Sequence, residues 1–371
     1  MIKTEIFMAT SVHRWNDNRI YHKEAKSLSK YFDIELHAPS SFKIKEYGHL
    51  KIIGLPLWKK ETDRREIRNN IWQRLKQSSA SIFHFHDPEL IWIGIKAKLI
   101  LGKKVIYDVH ENAGASILRK SWLSYPSKII FYLIYKSFEK LSSLLFDHYI
   151  LAESDYVNFI KSNYTIVRNF PLFNNLEMSN DKTTDLIYVG SMTSDRGMDM
   201  ILDLTKDLLI DYPNISLKLI GNGPSNYIKS LNSIITKNNM QNNIRIFDYM
   251  DYNKAMKHIQ SARIGLCILK PVKNYINSYP TKLFDYMSAG IPFVCSDFEI
   301  NKEIVLKTGS GILVDPDNKK QIIKEIKILL DNPKKTKQIG IKGQKAIFKE
   351  YSWKNENSKL IRLYRKILEM K

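Results

Sequence analysis

The sequence predicts an α/β protein built from parallel sheets wrapped by helices, and three observations carry that expectation. Short apolar runs of strand length alternate with longer amphipathic stretches of helix length along almost the whole chain. The strand-like runs are apolar nearly throughout instead of at every second residue, as strands buried on both faces are. The alternation stops at a polar stretch, 174–184, and then restarts, and 371 residues are enough for two domains with separate cores.

In the first half, residues 2–9 read as a strand, 20–31 as a helix, 34–37 as a second strand and 51–55 as a third, followed by a basic helix. Residues 81–86 make a strand, 89–101 a helix closed by Gly102, and 104–109 another strand. A long aromatic helix comes next, then a strand at 149–152, a short helix from Asp155 and a strand at 165–167. Arg168-Asn169-Phe170-Pro171 opens the linker. In the second half, a strand at 185–189 ends in Gly190 ahead of a helix over 198–209, and a strand at 217–220 ends in Gly221-Asn222-Gly223-Pro224. Strands at 244–247, 264–269 and 293–295 follow, separated by helices. Residues 311–317 read as a turn, and helices over 319–330, 334–350 and 352–370 complete the chain.

In such an architecture ligands bind beyond the carboxyl ends of the strands. After the first strand comes a polar loop with Asp17 and Arg19; after the fourth, His84-Phe85-His86-Asp87-Pro88-Glu89; after the fifth, Asp108-Val109-His110-Glu111-Asn112. His84 and His86 share a strand face, but with His110 they complete no zinc-type ligand spacing, so no metal is expected. Each histidine alone fits a hydrogen-bonded core residue equally well.

The second half offers a different chemistry. Tyr279-Pro280-Thr281-Lys282 turns the chain into a short helix, with Pro280 fixing φ at its start and Thr281 available as a cap. Gly290 and Pro292 end it. Lys282 and the free amides of that helix start make an anion site, and Asp285 lies one turn on. A sugar nucleotide needs both, a cation for its diphosphate and an acceptor for its ribose diol. The alternative is a solvated Lys282/Asp285 pair on a helix whose Leu283, Phe284, Tyr286 and Met287 are core. Gly190 and Gly221 allow backbone to approach a phosphate closely, and Arg196 offers a planar fork. Neither glycine loop matches the dinucleotide fingerprint, which sets aside a dehydrogenase.

Charge and composition narrow the partners. The net charge of +20, from 58 basic and 38 acidic residues, is concentrated at 59–76 and 119–140. The second segment mixes lysines with Trp122, Tyr125, Phe131, Tyr132, Tyr135 and Phe138, the composition of a helix in an anionic bilayer interface, or of a core helix with a wet lysine edge. No zinc-finger, RNP or recognition-helix pattern accompanies the charge, so nucleic acid is not an expected partner. Cys267 and Cys295 sit in apolar runs and read as packed thiols of a reduced compartment. The start lacks a signal-peptide apolar core, and no run approaches the roughly 18 apolar residues of a spanning helix. The expectation is a cytoplasmic protein, soluble or peripheral on the inner face of the cell membrane.

The segment KLFDYMSAGIPFV, residues 282–294, resembles the KLFEYMAAGIPVI segment of the large family four glycosyltransferases of GT-B fold, and HFHDPEL and YDVHE resemble further motifs of the same enzymes. The resemblance implies two facing Rossmann-like, doubly wound domains, an acceptor-side domain at 1–172 and a nucleotide-sugar domain at 173–351. It also implies a final helix, 352–371, anchored by Trp353 and crossing back to the first domain. It places the donor on Gly190, Ser191, Arg196, Gly221, Asn222, Thr281, Lys282, Leu283 and Asp285, with Asp285 holding the ribose. Catalysis falls to His110, Arg196 and Lys282, and the acceptor side to Asp17, Arg19, His86 and Glu111. The family's first signature Glu is absent, its position being Asn277. The implied activity is metal-independent, cofactor-free transfer of a sugar, with retention of configuration, to a saccharide or lipid-linked acceptor in cell-surface polysaccharide assembly. A nucleotide-sugar epimerase and a non-catalytic nucleotide-sugar-binding subunit are the alternatives.

Overall fold

The computed structural model describes residues 5–58, 63–110, 124–160, 162–172 and 181–369, with Gly114 and Ile117. The chain divides into two compact units: Met1–Asn169 with Trp353–Lys371, and Phe170–Ser352.

The first unit is an eight-stranded sheet. Its strands are β1 (Ile6–Ala9), β2 (Ile34–Pro39), β3 (Ile44–Tyr47), β4 (Leu50–Leu55), β5 (Ile82–Phe85), β6 (Lys104–Val109), β7 (His148–Leu151) and β8 (Tyr164–Ile166). They lie in the order β3-β4-β2-β1-β5-β6-β7-β8. All neighbours are parallel except β3, which runs antiparallel to β4. Strand β3 is the element the sequence did not announce. Every one of its residues is exposed, so it carries no burial pattern to read. The sheet order reverses between β1 and β5, which makes the loops after those two strands the ligand-binding corner of the unit.

The expected helix over 20–31 starts earlier, as a wide π-helical stretch, Asn18–Ala25, that runs into a single α-turn, Lys26–Leu28. Asp17 caps it: its Oδ1 accepts from the amides of Arg19 and Ile20 at 2.8 and 2.9 Å. The widened turns bury Arg19, Lys23 and Glu24 together with their apolar neighbours. The final helix, Trp353–Glu369, belongs to this unit. Trp353 Nε1 donates to Ser27 Oγ at 2.8 Å, and Glu356 accepts from the Arg168 amide at 2.8 Å.

The helix Tyr125–Leu145 is no core helix. Among its described residues only Ser142 and Ser143 are fully buried, while Tyr125, Ile130, Phe131, Leu133 and Leu144 are each at least half exposed. No helix among the described residues is long and apolar enough to cross a membrane.

The second unit is a six-stranded, wholly parallel sheet: β9 (Thr184–Val189), β10 (Leu217–Ile220), β11 (Ile244–Phe247), β12 (Ala262–Cys267), β13 (Phe293–Ser296) and β14 (Gly311–Val314). Residues 311–314, expected to open a turn, are the edge strand β14 before that turn. The order β11-β10-β9-β12-β13-β14 reverses between β9 and β12, the doubly wound arrangement, with an apolar cluster packed on each face. Tyr286 shows how the helix Thr281–Ser288 is tied down. Its ring covers Gly265, where a Cβ would collide with it, and its hydroxyl donates to the Leu266 carbonyl at 3.0 Å. Cys267 and Cys295 are buried free thiols, and burial raises the pKa of each.

Candidate functional site

The reversal between β9 and β12 brings three loops of the second unit together. Gly190 follows β9 with φ +138°, and its amide donates to the Ile220 carbonyl at 2.9 Å. Gly221 follows β10 with φ +146°, and a Cβ there would collide with the Gly190 carbonyl oxygen. The Asn222 carbonyl accepts from the Met192 amide at 2.7 Å, which links the two glycine loops. A Cβ on Gly190 would stand 3.3 Å from Lys282 Nζ, 3.5 Å from the Tyr188 hydroxyl and 3.6 Å from Arg196 Nη1. The two cations therefore converge on a bare backbone surface at the end of β9.

Each cation is held by aromatic rings. Lys282 is 6% exposed, its Nζ lies 3.6 Å from the Tyr188 ring centroid, and it has no hydrogen-bond partner. The Tyr188 hydroxyl donates to the Ser191 carbonyl at 2.7 Å and so fixes that ring. Arg196 lies with its guanidinium 5.4 Å from the Tyr275 ring. Burial works against its charge, but Tyr188 and Tyr275 more than offset this and raise its pKa. A buried ammonium without an acceptor is costly unless something anionic supplies one.

Asp285 stands one turn along the helix Thr281–Ser288, half-buried, and its Oδ1 accepts from the Tyr252 hydroxyl at 3.1 Å. Burial, and after it the Asp285 charge, pushes the Tyr252 pKa far up, so this phenol stays a donor. The solvated Lys282/Asp285 pair is thereby overturned, since Lys282 is buried and points at Tyr188.

Two expectations about this helix also change. Thr281 is no cap: Pro280 occupies the N-cap position, no side chain caps the helix, and exposed Thr281 begins it. Leu283 offers nothing to a nucleotide, because its side chain is fully buried and its amide donates to the Pro280 carbonyl at 3.0 Å. Asn277, where the resemblance wants a Glu, ends the short helix Lys273–Ile276.

The first unit gathers its polar residues where β1, β5 and β6 end. Asp87 Oδ2 accepts from Thr10 Oγ1 at 2.7 Å and from the Ser11 amide at 2.6 Å, pinning the loop after β1. Arg19 is 5% exposed; its Nε and Nη2 donate to the two Asp108 oxygens at 3.0 and 2.9 Å, and its Nη1 to the Val167 carbonyl at 2.9 Å. His86 is 2% exposed and stacks on His110 with centroids 5.1 Å apart. Arg19 and His86, expected to face an acceptor, are interior residues instead, because the Asp108 carboxylate draws both inward.

His110 is more open than Arg19, His86 and Asp108, its side chain 15% exposed, with Nδ1 3.4 Å from Asp108 Oδ1. The His13 ring meets it edge-on at 5.8 Å, and His13 Nδ1 lies 3.6 Å from Asp17 Oδ2. Burial alone would raise the Asp17 pKa, but bonds from His13 and the Ile20 amide reverse the sign and lower it. Burial opposes the Asp108 charge as well, and Arg19 and His110 overcome it, leaving that carboxyl well below its ordinary range. Glu111 lies outside the described residues. His13, Asp87, Asp108 and Glu24 escaped the sequence reading as site residues. The signal for Asp108 was its place one residue beyond the Phe85↔Tyr107 pair, level with His86. A cavity of about 820 Å³ lined by Asp33, His49 and Arg74 lies at the amino ends of β2 and β4, the wrong end of the sheet for this chemistry.

Residues 174–346 match the family described as glycosyl transferases group 1. Spore coat protein SA of Bacillus subtilis is 19% identical over 188 residues, 49% of this chain and 48% of that protein. The chain spans about half the length of the first curated relatives it matches. Sucrose-phosphate synthase from Thermosynechococcus elongatus superposes with a TM-score of 0.80 at 11% identity, covering 100% of both chains. HepE of Anabaena, in complex with UDP-glucose, superposes with a TM-score of 0.71 at 12% identity, covering 98% of this chain and 99% of that one. The fold is the GT-B arrangement of two Rossmann-like units.

Proposed function

We propose that this chain, whose second unit carries the group 1 glycosyl transferase segment, moves a sugar from a nucleotide-diphosphate donor to a hydroxyl of a saccharide or lipid-linked saccharide. The observation that carries the reading is the convergence of Lys282 Nζ, buried and without a hydrogen-bond partner, and Arg196 on the bare face of Gly190. A diphosphate seated there supplies the oxygens that the ammonium lacks. The first-turn amides at Thr281 and Lys282 add their dipoles, and Asp285 accepts from the ribose diol. As the bond to the sugar breaks, negative charge builds on the departing diphosphate, and these fixed positive groups stabilise it more than mobile water does. They can do so without a metal at the phosphates. UDP is the first nucleotide to try, because HepE binds UDP-glucose.

His110 orients the reacting sugar, being more open than its neighbours Arg19, His86 and Asp108. Retention of configuration follows if the diphosphate oxygen takes the acceptor's proton. The exposed apolar face of the helix Tyr125–Leu145, with Lys128, Lys136 and Lys140 among it, supports peripheral attachment to an anionic membrane surface, where lipid-linked acceptors of polysaccharide assembly reside.

The test is incubation of the chain with UDP-, GDP-, dTDP- and CMP-sugars. Slow release of free sugar and nucleoside diphosphate from one of them is the expected result. An epimerised, still nucleotide-linked sugar, or tight binding with no turnover of any donor, contradicts transfer.

A further inference from the structure

The first unit holds a set of buried side chains that sugar transfer does not use. Glu24, His84, His86 and Asp108 are each at most 2% exposed, and one donor atom from each lies within 4.8 Å of all the others. His84 Nε2 and His86 Nδ1 are each 3.9 Å from Glu24 Oε2, and His86 Nδ1 is 3.4 Å from Asp108 Oδ2. Glu24 Oε2, His84 Nε2 and His86 Nδ1 have no hydrogen-bond partner. Interior polar atoms are almost always satisfied, so three such atoms gathered within 4.8 Å of one another call for an occupant.

We propose that Glu24, His84, His86 and Asp108 bind one zinc ion, as a structural metal inside the first unit. Four donors around a tetrahedral zinc, at about 2.0 to 2.2 Å from it, stand roughly 3.3 to 3.6 Å apart, so the pairs at 3.4 and 3.9 Å already lie within a few tenths of an ångström of that spacing, and the widest separation, within 4.8 Å, closes by about an ångström when the ion binds. Two imidazole nitrogens with two carboxylate oxygens suit a borderline cation. Four protein donors sealed from water make a closed site, which stabilises a fold and leaves no position for a reacting water.

The surroundings fit as well. Tyr364 Oη lies 2.5 Å from His84 Nδ1; with the proton on that nitrogen, the Nε2 lone pair faces the cluster. Arg19 bonds both oxygens of Asp108, and its Nε lies 3.0 Å from Glu24 Oε1, so both carboxylates are held from behind. With both ionised, Arg19 leaves one negative charge in the interior, which a divalent cation more than neutralises. The ion would join β5, β6 and the stretch Asn18–Ala25. Sequence spacing excluded a metal because it weighed His84, His86 and His110 only. His110 is not a ligand here, and the missing donors come from a helix and from the neighbouring strand.

The test is elemental analysis of the purified full chain, which uses no nucleotide sugar and so stands or falls apart from the transferase reading. About one zinc per chain is expected, removal by a chelator should lower the melting temperature, and added Zn²⁺ should restore it. Chelated protein refilled with Co²⁺ should show the visible bands of a tetrahedral ion, and His86→Gln should abolish them. Tyr364→Phe, which leaves all four ligands, should keep the bands and weaken metal affinity by about tenfold or more. A chain isolated without stoichiometric zinc, which binds neither Zn²⁺ nor Co²⁺ after chelation, overturns the proposal even if the His86 variant fails to fold.

Discussion

The Nζ of Lys282 lies 3.6 Å from the centroid of the Tyr188 ring and has no hydrogen-bond partner. The ring stabilises the ammonium without using its N–H groups, which stay available for an anion. Replacing Lys282 by Ala should lower kcat for the preferred donor on the order of a hundredfold, about 2 to 4 kcal/mol of leaving-group stabilisation. Steady-state turnover checks it, and an unchanged rate removes Lys282 from catalysis.

Gly190→Ala should be worse than its small size suggests. Its φ of +138° disfavours any Cβ, and the added methyl would stand 3.3 Å from Lys282 Nζ, on the surface assigned to phosphate. Nucleoside-diphosphate affinity should fall at least tenfold, on the order of the backbone and contact cost together. Gly221→Ala, whose methyl meets the Gly190 carbonyl, should lower the melting temperature too. Calorimetric titration and thermal melts separate the two effects.

Asp285→Asn keeps the size of the side chain and removes its charge. Binding of the nucleotide should weaken by about tenfold, the worth of one charged hydrogen bond of about 1.5 kcal/mol. The loss should be the same for a nucleoside diphosphate and its monophosphate, since the ribose is common to both. A loss confined to the diphosphate would move Asp285 from the ribose to the phosphates.

His148 gives the first unit a pH dependence. Its Nε2 lies 2.8 Å from Thr165 Oγ1, and burial, followed by the Lys366 charge, brings its pKa from 6.5 down to about 4. The unfolded chain therefore takes up this proton first as pH falls. The contribution to stability is whole above pH 6.5 and is lost between 6.5 and about 4. His148→Gln, which can still bond Thr165, should flatten the melting temperature over that window. An equally steep decline in the variant assigns the effect elsewhere.

For the helix Tyr125–Leu145, flotation with phosphatidylglycerol vesicles should carry the protein upward, and neutral phosphatidylcholine vesicles should not. Changing Lys128, Lys136 and Lys140 to Glu should abolish flotation without altering donor hydrolysis. Flotation that survives this reversal places the membrane contact elsewhere.

The parallel sheets were legible because strands buried on both faces are apolar nearly throughout, as β1 is and as β5 and β13 are apart from His84 and Ser296. Strand β3 was not, since an exposed edge strand leaves no pattern. At the donor site, Gly190, Arg196, Lys282 and Asp285 stood out because glycine and charge interrupt apolar runs. Tyr188 and Tyr252 did not, because an aromatic within a strand or at a helix start reads as core until a neighbour from a distant loop is seen against it. The same holds for Glu24: only the sheet order brings residue 24 beside residues 84, 86 and 108.

Calorimetric titration of UDP against UMP tests most directly whether Arg196 and Lys282 grip the second phosphate of a nucleotide. The wild-type chain should bind the diphosphate at least tenfold more tightly, about 1.4 kcal/mol or more, and the double variant Arg196→Ala/Lys282→Ala should bind both alike. An undiminished preference for the diphosphate in that variant, or no preference in the wild type for this or any other base, contradicts it.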